Sequence, residues 1–118
     1  MWKDTDTFLR FGTSSISGHE FSLHGWLNMI WQISGRGYLE ETQDGSVYLR
    51  LERSGDQISA YCSGDGKNWF TCGNLEFPSG DPIQVGIYAI GAIDRTVYCG
   101  SYKDGTATLF RNFRIWTK

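Results

Sequence analysis

Proline and cysteine are few in this chain of 118 residues. It holds two prolines and three cysteines, against 15 glycines, five tryptophans, six tyrosines and seven phenylalanines. This mixture favours short strands joined by tight turns over helices. Hydrophobic residues make up 40% and charged residues 20%, which excludes an intrinsically disordered chain, and the length suits one folded domain.

A strong net charge and long apolar runs are also lacking. The formal net charge is −2, and the basic residues are scattered singly. Binding to a nucleic-acid backbone needs a basic stripe, so no nucleic-acid partner is expected. The longest apolar stretch, residues 85–93, is interrupted by Gly86 and Gly91 and is far below the ~20 residues of a membrane-spanning helix. No membrane partner is expected, and no signal peptide is visible.

The three cysteines are Cys62, Cys72 and Cys99. An odd count argues against a complete disulfide framework, and the lack of a Cys-x-x-Cys pair argues against zinc. Cys62 and Cys72 flank a predicted hairpin, so they either form a disulfide or are small buried residues like most free cysteines. The odd count and the missing signal peptide favour the cytoplasm without fixing a location.

Alternation of apolar and polar residues predicts strands throughout. Leu49 and Leu51 point away from Tyr48 and Arg50, and a turn at residues 55–56 leads into a second alternating run that ends near residue 62. These two runs predict an antiparallel hairpin. Further strands are expected over residues 7–11, 21–33 (broken near residue 25), 69–72, 83–89 and 108–116, with loops over 35–45 and 74–82. Seven or eight such strands predict one β-sandwich domain over residues 1–118.

Several short motifs resemble a known family. They are Leu49-Arg50-Leu51, the turn Asp65-Gly66 followed by Trp69, Val85-Gly86-Ile87, and the ending from Phe110 to Phe113. Together they resemble the concanavalin A-like jelly-roll domains typified by the regulation of enolase protein 1 family, and similar modules of some β-xylosidases. The resemblance covers about residues 44–116. It implies an all-β, antiparallel two-sheet jelly-roll sandwich of the concanavalin A-like lectin/glucanase type.

Two departures from that family shape the expectations. The family domain is longer, with additional strands before the segment that matches the start of this chain. Its terminal motif carries an acidic pair where this sequence has Arg111-Asn112. Missing strands would leave a sheet edge or face open, and such edges are normally paired or covered. A homodimer or higher homo-oligomer is therefore expected.

The outward aromatic residues are the candidate ligand-binding set. Sugars stack their apolar C–H faces on aromatic rings, while neighbouring polar groups bind the hydroxyls. The candidates on a concave sheet are Tyr48, Arg50, Tyr61, Tyr88 and Trp31. An oligosaccharide is the expected ligand. The alternative is that these aromatics cover a second sheet or a subunit interface, where aromatics are also enriched.

Other candidate sites carry weaker signals. The Asp65-Gly66 turn with Trp69 resembles the aspartate-box hairpins of sialidases, which are mostly structural. Asp4 and Asp6 are calcium candidates without further identifiable ligands, and the two histidines lie on opposite strand faces. No metal or cofactor is therefore expected.

No sequence pattern indicates a catalytic residue. The chain lacks glutamates spaced to share a strand face, a serine elbow and a phosphate-binding loop. A non-catalytic binding module for carbohydrate or another small ligand is the leading hypothesis. A small oligomerising protein without a sugar ligand is the alternative, and a hydrolase comes third.

Overall fold

The computed structural model describes residues 1–14, 20–39, 46–78, 80, 83–88 and 109–117. The chain divides into two compact units, Met1–Val85 and Gly86–Lys118. The described residues of the first unit form seven strands: β1 (Trp2–Asp4), β2 (Thr7–Ser14), β3 (Glu20–Leu27), β4 (Ile30–Tyr38), β5 (Tyr48–Ser54), β6 (Gln57–Ser63) and β7 (Phe70–Glu76). The described residues contain no helix, so the predicted all-β class is confirmed, and none of them forms an apolar helix long enough to cross a membrane.

The strands form two antiparallel sheets in which each strand pairs with its neighbours in the chain. The first sheet has the order β1-β2-β3-β4, and the second has the order β5-β6-β7. Gln84 adds to the first sheet beyond β1, because its backbone exchanges hydrogen bonds of 2.8 and 2.9 Å with Trp2. Such local pairing is typical of meanders, which need only short turns.

The apolar core is built from the inward faces of both sheets. In the first sheet Phe11 pairs with Leu23. In the second, Leu51 pairs with Ala60. One contiguous buried cluster joins residues of the two sheets: Leu9, Phe11, Phe21, Leu23, Leu27, Ile58, Ala60, Cys62, Cys72, Leu75 and Phe77. A sandwich stabilised by burial of facing apolar side chains follows from this arrangement.

The two sheets approach each other most closely where β4 meets β7. A Cβ atom on Gly35 would lie 1.8 Å from the carbonyl oxygen of Cys72, and one on Gly73 would lie 2.7 Å from the carbonyl oxygen of Ser34. Only glycine permits backbones to pass at this separation. Both strands are irregular here, because Ser34 and Cys72 are extra residues in their ladders, as in β-bulges.

The predicted hairpin of the second sheet is confirmed, whereas the first sheet differs from expectation. β5 and β6 pair around the turn at Gly55 and Asp56. The run 21–33, expected to break near residue 25, is instead a hairpin that turns at Asn28 and Met29, both with positive φ. The turn is held in place because the backbone N–H of Met29 donates to the carbonyl oxygen of Asp6 and that of Asn28 donates to the Thr7 hydroxyl. These bonds explain why Met29 adopts a conformation that usually needs glycine or asparagine.

The expected loops begin later than the sequence indicated, and the last two expected strands are absent from the described residues. β4 continues to Tyr38 and β7 to Glu76, because each has a paired neighbour. Residues 85–88 and 109–117 form no strand. The expectation of strands there was wrong for those residues, since alternation alone supplies no partner for the backbone N–H and C=O groups. The ends of the predicted strands at residues 89 and 108 lie outside the described residues.

Gly35→Ala is expected to destabilise the protein strongly, by at least about 3 kcal/mol. The new methyl group would meet backbone atoms of β7 rather than a flexible side chain, so the contact between the sheets must open. Urea unfolding followed by circular dichroism measures the loss. The matched control is Gly80→Ala, because an added Cβ there has no atom within 4 Å. Equal stability of the two variants would contradict the close-packing argument.

Candidate functional site

The five predicted ligand-binding residues lie in three different places. Tyr48 and Arg50 are on β5 and Tyr61 is on β6, so these three share the second sheet. Trp31 is on β4 of the first sheet, and Tyr88 belongs to the unit Gly86–Lys118. Pairing of Arg50 with Tyr61 and of Tyr48 with Ser63 puts the first three on the outward face, opposite the buried Cys62.

On this outward face the guanidinium of Arg50 lies against two aromatic rings. Its Cζ is 4.7 Å from the ring centroid of Tyr61 and 4.5 Å from that of Trp69. Arg50 Nε is buried and lies 3.2 Å from Glu52 Oε1 without the alignment of a hydrogen bond. Cation–π contact therefore occupies one face of each ring. The sequence placed Trp69 over a turn but did not identify it as a partner of Arg50.

The loop between β6 and β7 is organised around the carboxylate of Asp65. Its Oδ1 accepts hydrogen bonds from the Ser63 hydroxyl at 2.9 Å and from the backbone N–H groups of Lys67 and Asn68 at 2.8 Å. Its Oδ2 accepts a bond of 2.7 Å from the Asn68 side chain. Gly66 has a φ of 73°, a conformation that favours glycine. These four hydrogen bonds match the roughly four lone-pair sites with which a carboxylate accepts hydrogen bonds.

These hydrogen bonds favour the charged form of Asp65. The backbone N–H of Asn68, followed by that of Lys67, holds the pKa of this carboxyl well below its usual range. The carboxylate shapes the loop that ends at Trp69, and Trp69 in turn packs on Arg50. The arrangement supports the structural reading of the Asp65-Gly66 turn.

A second cluster lies on the outward face of the first sheet, where β3 and β4 form a shallow groove of about 260 Å³. The lining combines one indole ring, one imidazole ring, an aliphatic side chain and three polar or charged groups. These residues are Glu20, Ser22, His24, Trp31, Ile33 and Arg36. Of the predicted site residues, only Trp31 belongs to this groove.

A β-bulge in β4 places Ile33 and Arg36 on the same face of the sheet. Leu23 pairs with Gly35 and His24 pairs with Ile33, so Ser34 has no partner in the ladder. Side chains normally alternate between faces along a strand. The extra residue changes this phase, and Ile33 and Arg36 come to share the outward face although they are three positions apart.

Two of the lining side chains, His24 and Trp31, are aromatic, and the ring of Trp26 lies beside that of Trp31. Trp31 remains 46% exposed and Trp26, its cross-strand partner, remains 40% exposed. Their ring centroids are 5.9 Å apart in an edge-to-face arrangement, and the His24 ring lies 5.3 Å from Trp31. Contacts of this kind fix the orientation of the indole. Nearly half of the Trp31 surface stays exposed.

Polar groups lie beside the open indole. Ser22 Oγ is 3.1 Å from His24 Nδ1, and Arg36 Nε is 3.7 Å from Glu20 Oε1. Burial, with the charges of Arg10 and Arg36, lowers the pKa of His24 below its usual value. The imidazole is therefore neutral at pH 7 and offers one donor and one acceptor. The groove can hydrogen-bond hydroxyl groups in both directions.

The sequence pointed to only part of this site. Glu20, Ser22 and His24 occupy alternate positions of one strand, which was a usable signal of a shared polar face. The contribution of Arg36 was hidden, because the segment that carries it was expected to be a loop and because the bulge at Ser34 has no clear sequence signal.

The remaining candidates do not form a metal site within the described residues. No group of three or more His, Cys, Asp or Glu side chains with suitable placement occurs among them. Asp4 Oδ1 instead accepts a hydrogen bond of 3.0 Å from the backbone N–H of Asp6 and closes the β1–β2 turn. His19 lies outside the described residues.

Asp65→Asn is expected to lower the melting temperature at pH 7. The substitution removes the charge that the loop N–H groups stabilise and turns one acceptor into a donor facing the Asn68 amide. Because the folded pKa of Asp65 is depressed, the stabilisation is complete above the unfolded value of about 3.9 and is lost as the pH falls below it. The difference in melting temperature between the two proteins should therefore shrink from pH 5 to pH 2.

The control for this experiment is Asp56→Asn. The carboxylate of Asp56 is exposed, and its ion pair with Arg53 is long, at 3.9 Å. Removal of this charge should therefore change the melting temperature little. A difference for Asp65→Asn that is unchanged at pH 2 would show that shape, and not charge, is what the loop requires.

Comparison of the chain with protein-family models, with curated proteins and with solved structures finds no match. The resemblance to the regulation of enolase protein 1 family therefore stays a prediction.

Proposed function

We propose that the protein is a non-catalytic carbohydrate-binding β-sandwich module, with the groove around Trp31 as its principal ligand site. The observation that supports this most directly is the half-exposed indole of Trp31 beside the His24 ring and an arginine–glutamate pair. An open aromatic ring with a few convergent polar groups is the usual composition of a small-ligand site.

Carbohydrate fits this chemistry better than an anionic or purely apolar ligand. A sugar ring presents an apolar C–H face that can pack on the Trp31 indole. Its hydroxyl groups donate and accept hydrogen bonds, which matches the mixed donors and acceptors of the lining residues Ser22, His24, Glu20 and Arg36. The groove is small and open, so a terminal sugar or one ring of a longer chain is the expected ligand.

The second sheet supplies a further ligand surface in this proposal. Tyr48 is 46% exposed and packs beside Gly66. Arg50 and Tyr61 lie on the same outward face, although their mutual contact leaves less open ring surface than Trp31 has. Tyr88 belongs to the other unit and stays a prediction from the sequence. The jelly-roll type of the sandwich is likewise proposed from the family resemblance.

Trp31→Ala is expected to raise the Kd for a bound oligosaccharide roughly tenfold or more, since loss of a stacking ring costs about 1.4 kcal/mol. A glycan array identifies the ligand, and titration calorimetry with the best glycan measures the Kd. Calorimetry is preferred because removal of an indole also changes the fluorescence of the protein. The melting temperature of each variant confirms that it is folded.

Tyr61→Ala is the matched variant on the other sheet. A loss of binding in Trp31→Ala with little change in Tyr61→Ala supports the groove. The reverse result would move the ligand to the second sheet and contradict the groove. No binding by the native protein across a broad array would contradict the carbohydrate proposal itself.

Self-association is the alternative function that the same face supports. Trp26, Trp31, Ile33 and Tyr38 on β3 and β4 are between 40% and 72% exposed. An exposed apolar patch of this kind is typical of an interface. In this alternative a homodimer or higher homo-oligomer covers the outward face of the first sheet, and sugars do not bind there.

Light scattering after gel filtration distinguishes the two functions. If the face is an interface, the native chain is at least dimeric at micromolar concentration, and Ile33→Glu makes it monomeric without lowering its melting temperature much. Thr71→Glu, at an exposed position of β7, is the control and should leave the oligomer mass measured by light scattering unchanged. A native monomer at micromolar concentration would contradict the oligomer proposal.

A further inference from the structure

We propose that Cys62 and Cys72 are the site of an intrachain disulfide that joins β6 to β7. The two Sγ atoms are 3.0 Å apart. Both residues are buried, with 2% and 5% of their surfaces exposed. The S–S bond forms as the two thiols lose two protons and two electrons, and the sulfurs are already adjacent. This inference is independent of the carbohydrate proposal.

The bulge in β7 is what brings the sulfurs together. Cys62 pairs with Phe70 and Tyr61 pairs with Thr71, but Ala60 then pairs with Gly73. Cys72 is therefore the extra residue, and it turns towards the core beside Cys62. Bulges redirect side chains in this way. Regular pairing would have placed Cys72 opposite Ala60 instead.

The bond would close a ring around the loop that carries Asp65 and Trp69. Residues 63–71 lie between the two cysteines. Hydrogen bonds to Asp65 organise the far end of this loop, and the disulfide would fix its base. The same crosslink would hold Trp69 against Arg50. A loop with both ends fixed keeps this outward surface in one shape.

A low-molecular-weight disulfide such as oxidised glutathione is the oxidant. One cysteine thiolate attacks it, forms a mixed disulfide and releases one molecule of reduced thiol. The second cysteine thiolate then displaces the second molecule, so two protons and two electrons leave the protein and the small disulfide is reduced. Burial raises the pKa of the Cys72 thiol, which makes the thiolate scarce in the folded chain. Oxidation during folding is therefore expected to be faster than oxidation afterwards.

The experiment uses the full chain with Cys99→Ser, so that only the two cysteines of interest remain. The protein is refolded with oxidised and reduced glutathione, and separately under reducing conditions. Thiols are then counted in denaturant, and non-reduced peptides are mapped by mass spectrometry. The expected oxidised protein has no free thiol and a peptide that links residues 62 and 72. Its melting temperature should exceed that of the reduced form by roughly 10 °C or more.

Two controls keep the result interpretable. Cys62→Ser with Cys72→Ser, in the same background, should show no change in melting temperature with oxidant. The native chain, mapped without any substitution, shows whether Cys99 competes. Two free thiols in the oxidised preparation would overturn the proposal, and so would a crosslink that involves Cys99 in the native chain. Equal melting temperatures of the oxidised and reduced forms would show that the bond does not fix the loop.

Discussion

The close approach of β4 and β7 at Gly35 and Gly73 is the constraint on which the sandwich depends. Backbone atoms of the two sheets come so near that no side chain fits between them. Each strand carries a bulge at this point, at Ser34 in β4 and at Cys72 in β7. One bulge sets which side chains line the groove of the first sheet, and the other brings two thiols together in the core. The two bulges at this backbone contact therefore determine both the lining of the groove and the position of the two thiols.

The second sheet shows how a loop can be ordered without a large core of its own. The Asp65 carboxylate gathers donors from the three residues around it, and Gly66 allows the chain to reverse. The loop then delivers Trp69 to Arg50. Charge is important at both points, since a carboxylate with several N–H donors and a guanidinium on an aromatic face are each stronger than their neutral equivalents.

Sequence reasoning succeeded where structure is local and failed where it depends on a partner. The alternation from Leu49 to Cys62, with a glycine turn, predicted β5, β6 and the outward direction of Tyr48, Arg50 and Tyr61. The turn at Asn28 and Met29 was missed, because it is stabilised by hydrogen bonds that its N–H groups donate to Asp6 and Thr7, which are distant in the sequence. Continuation of β4 through Gly35 and Gly37 was missed for a similar reason: pairing with β3, not propensity, makes that segment a strand.

The two outward faces use the same kinds of residues with different results. On the second sheet the guanidinium of Arg50 covers the rings of Tyr61 and Trp69, so the aromatic surface mainly stabilises the protein itself. On the first sheet Arg36 lies beside Glu20 instead, and Trp31 keeps nearly half of its surface open. The position of the arginine relative to the rings therefore decides how much aromatic surface each face leaves exposed. Aromatic composition, which first suggested recognition, could not make that distinction.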